Sequence, residues 1–335
     1  MKTPINMKTF ASALVAFLLM PTLAMAQGGP LEPPGPPGAT MRSLEEVEPR
    51  IPISEVPYTI TEPGSYYLTG NLTIETGESA ITITADNVTL DLMGFTLQGT
   101  EAAGQRGVDI ALGKQNVTVR NGTIRNMGEE GISANWAESC LYEHLSIDEN
   151  GAEGEFSDGL SGGAGAIVRF VTATGNDNRG IAIRDGSVTN AVARNNGTAG
   201  ISSASGNVTN SVARDNGGVG IQADAGSVIN SIARSNGGHG ISASSIVTNS
   251  VARFNGGNGI SVNDGNVTNS DGSNNGGHGI FANRGSVTNS TARHNEGDGI
   301  WVEHQGVVAF CQASSNDGAN INAPNATRTG NHPND

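Results

Sequence analysis

A glycine followed by an isoleucine returns at Gly180, Gly200, Gly220, Gly240, Gly259, Gly279 and Gly299, in steps of 20, 20, 20, 19, 20 and 20 residues. Self-similarity at that period marks a solenoid, in which each repeat buries its apolar face only against its neighbours. Each repeat reads Gly-Ile-x-x, a short turn, then x-Val-Thr-Asn-Ser-x-Ala-Arg-x-Asn-Gly-Gly. Its apolar runs are short, bounded by Gly, Asn and Asp, and follow no helical period, so they are strands joined by tight turns. The Leu/Asn framework of a leucine-rich repeat is missing. Three strands wound into one coil per repeat make a single-stranded parallel β-helix, an all-β fold.

The columns of this repeat sort into faces. Ile181 and its six counterparts to Ile300 point inward, as do Val188, Val208, Val228, Val247, Val267 and Val287. Ala191, Ser211, Ser231, Ser250, Ser270, Ser290 and Cys311 form a column of small residues. The next column holds Val192, Val212, Ile232, Val251, Asp271, Thr291 and Gln312. A buried column would not tolerate its aspartate, so it faces out and the Ser/Ala column faces in. Period-two alternation then puts Arg194, Arg214, Arg234, Arg253 and Arg293 outside. Two asparagine columns, Asn190 to Asn289 and Asn176 to Asn316, mark corners, where stacked amides bond coil to coil and Asn accepts left-handed backbone angles. Counting from Ile81 gives about eleven coils of roughly 20 residues, since Ala80 to Leu92, Asn116 to Ile124 and the stretch from Gly131 fit the same architecture less regularly. That places Cys140 and Cys311 eight coils apart, ~38 Å at the ~4.8 Å strand spacing, too far for a disulfide. Two buried thiols are expected.

Outside the repeats the chain divides readily. Lys2 and Lys8, the apolar stretch from Phe10 to Leu19 and the small residues Ala24-Met25-Ala26 read as a signal peptide over residues 1–26, cleaved near Ala26. The product is expected to be secreted or periplasmic, with no membrane insertion. Residues 27–52 contain a proline-rich run that reads as extended. The β-helix is expected over 53–316, with residues 53–74 capping its N-terminal edge, and 317–335 read as a loose tail. A formal charge of −14 and only 18 Lys and Arg argue against a nucleic-acid partner, because phosphate neutralisation takes clustered cations.

The Asn-Gly-Gly-x-Gly-Ile repeat resembles the exported right-handed parallel β-helix repeat proteins of the pectate-lyase-like superfamily, with carbohydrate-binding and sugar-hydrolase type repeats. The opening segment, Met41-Arg42-Ser43-Leu44 through Glu48-Pro49-Arg50-Ile51-Pro52-Ile53 and Gly64-Ser65-Tyr66-Tyr67-Leu68-Thr69-Gly70, is similar to exported bacterial members. The resemblance spans roughly residues 40–320. It implies a right-handed coil and carbohydrate chemistry, and the superfamily holds lyases, hydrolases, epimerases, adhesins and passive scaffolds. Gly238-His239-Gly240 and Gly277-His278-Gly279 resemble the Gly-His-Gly signature of polygalacturonases, yet both follow from the repeat itself, and no Asn-Thr-Asp, Asp-Asp or Arg-Ile-Lys partner accompanies them.

Three features can carry chemistry. The first is an acidic stretch with no Lys or Arg between Asn126 and Val168, in which Asp148, Glu149, Glu153, Glu155 and Asp158 supply hard oxygen ligands suited to Ca²⁺. In pectate-lyase-like enzymes Ca²⁺ neutralises a uronate carboxylate while an Arg or Lys removes the C5 proton before β-elimination; Arg169, Arg179, Arg184 and Lys114 are the basic residues placed to serve, with Arg120 beside them. The second is the arginine column from Arg194 to Arg293, whose coil spacing is close to one pyranose, so an acidic polysaccharide along the axis would meet successive guanidinium groups. The third is at the C-terminal coils, where Phe281 and Trp301 take an outward position held earlier by small residues, with Glu303, His304, Asp298 and His294 nearby. Together they lead to the expectation of an exported carbohydrate-active protein that binds an acidic polysaccharide, with cleavage by β-elimination as the catalytic option and enzyme status left open. The alternative is a non-catalytic carbohydrate-binding or surface scaffold, favoured by the regular, insertion-free coils from 180 to 298.

Overall fold

A computed structural model describes residues 49–151 and 157–333; the expected signal peptide and the proline-rich run lie outside them. The described chain is all β, without a helix. Thirteen short strands, one per coil from Tyr58–Ile60 to Ile321–Asn322, stack in parallel as one face. The other two faces belong to a single 24-stranded sheet. Between residues 118 and 174 they run as unbroken strands bent at a corner, Thr118–Arg125, Leu141–Asp148 and Ala166–Thr174. From Gly186–Thr189 and Val192–Arg194 onward each coil breaks at that corner into two strands. The corner residue from Asn190 to Asn289 is an asparagine, each left-handed with φ between 49° and 53°, and Phe310 and Gly330 take the place in the last two coils at 56° and 60°.

The inward columns are as expected. In the two inward columns, the seven isoleucines that follow the repeated glycines, Ile181 to Ile300, and the six valines Val188, Val208, Val228, Val247, Val267 and Val287 are fully buried, and the isoleucines pair in register from coil to coil. The serine column is also inside. Its hydroxyls are satisfied: Ser250 Oγ donates to the Thr248 carbonyl at 2.8 Å and accepts the Ser231 N–H at 3.2 Å. A buried polar group bonded on both sides avoids the desolvation penalty that would forbid it in a core.

The second asparagine column is a buried ladder of nine amides. It starts at Asn150, one coil before the regular repeats, and Asn150 Nδ2 donates to Asn176 Oδ1 at 3.0 Å. The contact repeats along the column at 2.8 to 3.1 Å as far as Asn316. Each Oδ1 also accepts the main-chain N–H of the preceding asparagine, and each Nδ2 also reaches a carbonyl, as Asn236 does with Ala213 at 3.2 Å. This ladder explains the repeated glycine. A Cβ on Gly220 would stand 2.5 Å from Asn236 Nδ2 and 2.7 Å from the Gly240 carbonyl.

There are thirteen coils where about eleven were expected, because both ends wind. Tyr58–Ile60 pairs with Ile81–Ile83 and Gly64–Leu68 with Val88–Asp91, so the N-terminal cap is itself a coil. Its foundation is the buried Asp91 carboxylate, which accepts Arg120 Nε at 3.0 Å and lies 3.9 Å from Arg50 Nη1. At the other end the expected loose tail pairs strand by strand, Ile321–Asn322 with Ile300–Trp301 and Thr327–Thr329 with Val307–Ala309. Ile321 supplies the inward isoleucine of this last coil. Cys140 and Cys311 are both free and buried, as the coil count demands, and burial raises both thiol pKa values.

Candidate functional site

The thirteen-stranded face is smooth over the regular coils and built up near its N-terminal third. In strand Ile132–Glu138 the register shifts between Ala134 and Glu138. Three residues, Asn135, Trp136 and Ala137, stand against the single Gly163 of the next coil. A Cβ at Gly163 would fall 1.9 Å from the Ala137 carbonyl, so only glycine lets the bulge close down on its neighbour. The bulge lifts Trp136 off the sheet, leaving it 61% exposed. Arg184 lies over its ring at 4.4 Å, and Asn135, Trp136, Gly162, Arg179, Ala182 and Arg184 line a cleft of about 400 Å³.

Two of the four basic residues expected to act at a sugar, Arg179 and Arg184, therefore meet in one cleft. Lys114 adjoins the bulge through its backbone, its carbonyl accepting the Glu138 N–H at 2.8 Å, while its Nζ lies 4.0 Å from Asp86. Arg169 is elsewhere, on the 24-stranded sheet, held by the buried Glu143 at 2.6 Å. Arg179 is clamped two-pronged by the buried Asp158, Nε to Oδ1 at 2.9 Å and Nη2 to Oδ2 at 2.7 Å. Asp158 also accepts the Ser161 hydroxyl at 2.7 Å and Asn178 Nδ2 at 2.9 Å. Such pairing holds guanidinium groups as fixed cations rather than proton acceptors.

Further toward the N-terminus on the same face, Asp109 and Ser133 are register partners, followed by Ser161 and Ala182 beside the cleft. The Asp109 carboxyl is pushed above the usual aspartate range, first by burial and then by the Glu130 carboxylate. Arg106 and a hydrogen bond from Ser133 oppose that rise. Arg106 in turn bridges Glu129 at 2.6 Å and Glu130 at 3.0 Å.

Of the described acids expected to share one ion, Asp148 and Glu149 lie in one recess and Asp158 on a different arginine. Asp148 accepts the Ser146 hydroxyl at 2.6 Å and Glu149 pairs with Arg125 at 2.8 Å. Both line a recess of about 230 Å³ together with Arg194. Asp158 belongs instead to the Arg179 clamp, and Glu153 and Glu155 lie outside the described residues. Among the described residues no three acidic, His or Cys side chains converge.

The arginine column does form. Arg194, Arg214, Arg234 and Arg253 are register partners on consecutive coils; Ser273 then interrupts and Arg293 follows. Arg214 meets Asp215 at 3.1 Å, Arg253 pairs with Asp271, and Arg234 lies 5.1 Å over the Phe254 ring. Arg194 donates to the Thr174 hydroxyl at 3.2 Å and Arg293 to Gln312 at 2.7 Å.

At the C-terminal coils Phe281 and Trp301 are half-buried register partners whose rings meet edge to face at 5.2 Å. The His278 ring packs 4.6 Å from Trp301. His278 Nδ1 accepts the Asp298 N–H at 2.9 Å, and His239 Nδ1 accepts the Asn258 N–H at 2.9 Å, so both histidines of the Gly-His-Gly triplets serve the coil backbone. Burial lowers both imidazole pKa values, with Asp298 partly restoring that of His278. The expected acid/base group does not assemble: Asp298 stays with His278, the exposed Glu303 follows on the turn after Trp301, His304 lines a cleft with Arg284 and Asn325, and His294 lines another with Phe254 and Glu296.

The residue that sequence reasoning passed over is Trp136. Its signal was present in the coil length: Ile132 pairs with Leu160, 28 residues on, against steps of 19 or 20 in the regular repeats.

No family model and no curated protein matches the sequence. Among solved structures the chain is similar to the A-module of mannuronan C-5 epimerase AlgE6 from Azotobacter vinelandii, with a TM-score of 0.61 and 18% identity over 82% of this chain and 92% of that one. It is similar also to the A-module of the Azotobacter vinelandii mannuronan C-5 epimerase AlgE4, with a TM-score of 0.54 and 15% identity over 84% and 90%. A point mutant of the periplasmic alginate epimerase AlgG gives a TM-score of 0.52 and 11% identity over 79% and 83%. At such identities the likeness establishes architecture alone, and the chain has a right-handed parallel β-helix fold.

Proposed function

We propose that the protein binds an acidic polysaccharide, with one carboxylated sugar seated in the Trp136 cleft. The observation that carries this reading is Arg184 stacked at 4.4 Å on an exposed Trp136, in a cleft also lined by Arg179. An indole offers its face to the C–H surface of a pyranose. A guanidinium held flat by a ring is ordered in advance and presents a two-pronged match to a carboxylate. Mannuronan and alginate, named for the similar β-helices, belong to this substrate class. Because Glu143 and Asp158 hold Arg169 and Arg179 in the protonated form, the arginines suit charge recognition better than proton removal, which supports binding ahead of β-elimination.

The test uses a disaccharide of galacturonate or mannuronate, titrated against the full chain by calorimetry. Binding that is at least tenfold weaker in Trp136→Ala, about 1.4 kcal/mol, is the expected result; an unchanged affinity overturns the cleft assignment. Absorbance of unsaturated uronate, followed on the polymer with Ca²⁺ and with chelator, reports elimination separately.

A scaffold without catalysis is the second reading. Between Ile181 and Val302 the coils return through short turns alone, and no loop rises to build a further wall.

A further inference from the structure

We infer that the face bearing Arg194, Arg214, Arg234 and Arg253 is a second polysaccharide site, on which an unbranched polyuronate lies parallel to the solenoid axis with one carboxylate per coil. This rests on the acidic-polysaccharide reading for the class of ligand, but on different residues from the cleft.

The register is the first argument. The four arginines are direct partners on adjacent parallel strands, which sets their Cα atoms ~4.8 Å apart. Four like charges at that separation repel one another in inverse proportion to the local dielectric, and an anion bound between neighbours relieves two repulsions at once. The protein relieves only half of the column itself. Asp215 sits against Arg214 and Asp271 against Arg253, whereas Arg194 and Arg234 have no carboxylate partner among the described residues. Arg234 is instead fixed over Phe254, which reduces the entropy lost when it binds.

The second argument is the neighbouring column. Two residues before each arginine, and outward on the same strands, stands an apolar side chain, from Val192 to Val251, with Ile232 44% exposed at the centre. A ribbon of apolar surface beside a ribbon of guanidinium groups offers partners for the two things each uronate presents, a ring C–H face and a carboxylate. A polyphosphate offers only the charge. The apolar ribbon and the column end together, since Asp271 and Ser273 replace both members in the next coil. The footprint is therefore four sugars. Net charge works against indiscriminate anion binding, since the chain carries −14 overall.

The experiment is calorimetric titration of the full chain, in a Trp136→Ala background, with size-defined oligogalacturonates from dimer to octamer. Using that background separates this site from the cleft: if the cleft assignment fails, the length dependence still stands or falls alone. Affinity is expected to rise with each sugar up to the tetramer and then level off. Arg194→Gln and Arg234→Gln are each expected to weaken the tetramer about tenfold, with Arg284→Gln, an exposed residue paired to Asp264 at a turn, as the neutral control. Arg234 and Arg284 are exposed and Arg194 is half-buried, and unchanged urea midpoints verify that the variants fold. Three results would overturn the inference: no dependence on length, tetramer binding unaffected by Arg194→Gln and Arg234→Gln together, or polyphosphate binding as tightly as polyuronate.

Discussion

Asn216 Nδ2 donates to Asn236 Oδ1 across 2.9 Å in the interior of the solenoid, and the Asn216 main-chain N–H reaches the same oxygen at 3.2 Å. Asn236 passes the pattern on to Asn255 at 2.9 Å and to the Ala213 carbonyl at 3.2 Å. One buried side chain thus satisfies four groups on its two neighbouring coils. Replacing Asn236 by alanine strands those groups without water, each costing about 1–3 kcal/mol. A loss of at least about 3 kcal/mol in urea denaturation is expected, with hydrogen exchange accelerating first in the adjacent coils.

Gly220 faces the same ladder. Gly220→Ala drives a methyl group to within 2.5 Å of Asn236 Nδ2 and 2.7 Å of a backbone carbonyl, neither of which can retreat without breaking the ladder. A destabilisation of about 1–3 kcal/mol is expected from thermal or urea unfolding, in the range of overpacked cores.

The serine column predicts a contrast between two substitutions. Cys311 occupies the column's last place, its Sγ 3.3 Å from the Ala309 carbonyl where serines address the residue two before them. Cys311→Ser should change stability by less than about 0.5 kcal/mol. Ser250→Ala, which removes only the hydroxyl, leaves the Ser231 N–H without its acceptor and the Thr248 carbonyl with the Asn230 N–H alone and should cost about 1–3 kcal/mol. Equal urea midpoints for the two variants would contradict the assigned hydrogen bonds.

The two Gly-His-Gly triplets confer a pH dependence on stability. Burial holds His239 and His278 below the ordinary histidine pKa, so as pH falls the unfolded chain binds these protons first. The stability they contribute is present above about pH 6.5 and is lost as pH drops through that value toward the lower folded pKa. Asn258 stands between them in the same column and accepts the His278 N–H at 2.9 Å, so asparagine can serve the backbone without titrating. His239→Asn/His278→Asn should unfold at the same urea concentration as the parent at pH 7.5 and at a higher one at pH 5.5.

Regular repetition made the middle of the fold readable. The aspartate at position 271 alone sufficed to turn one column outward, and the arginines followed by alternation. Both ends were harder, because Tyr58-Thr59-Ile60 has no preceding glycine and Ile321 sits among Asn, Ala and Pro, so neither advertises the coil it completes. The cleft was hidden for a different reason. Trp136 is exposed only because two extra residues bulge against Gly163, and a longer coil does not disclose which of its residues the bulge lifts. The acidic stretch was visible as composition, but its members are distributed by register: Glu143 and Asp158 went to arginines one coil away, leaving Asp148 and Glu149 in a separate recess.

The most direct test is retention of the full chain on immobilised polygalacturonate and alginate, compared with neutral dextran, over a gradient of salt. Retention on both acidic polymers with release by salt, and none on dextran, is the result expected of the Trp136 cleft and the arginine column. Passage through the acidic polymers at low salt, or equal retention on dextran, would contradict acidic-polysaccharide binding.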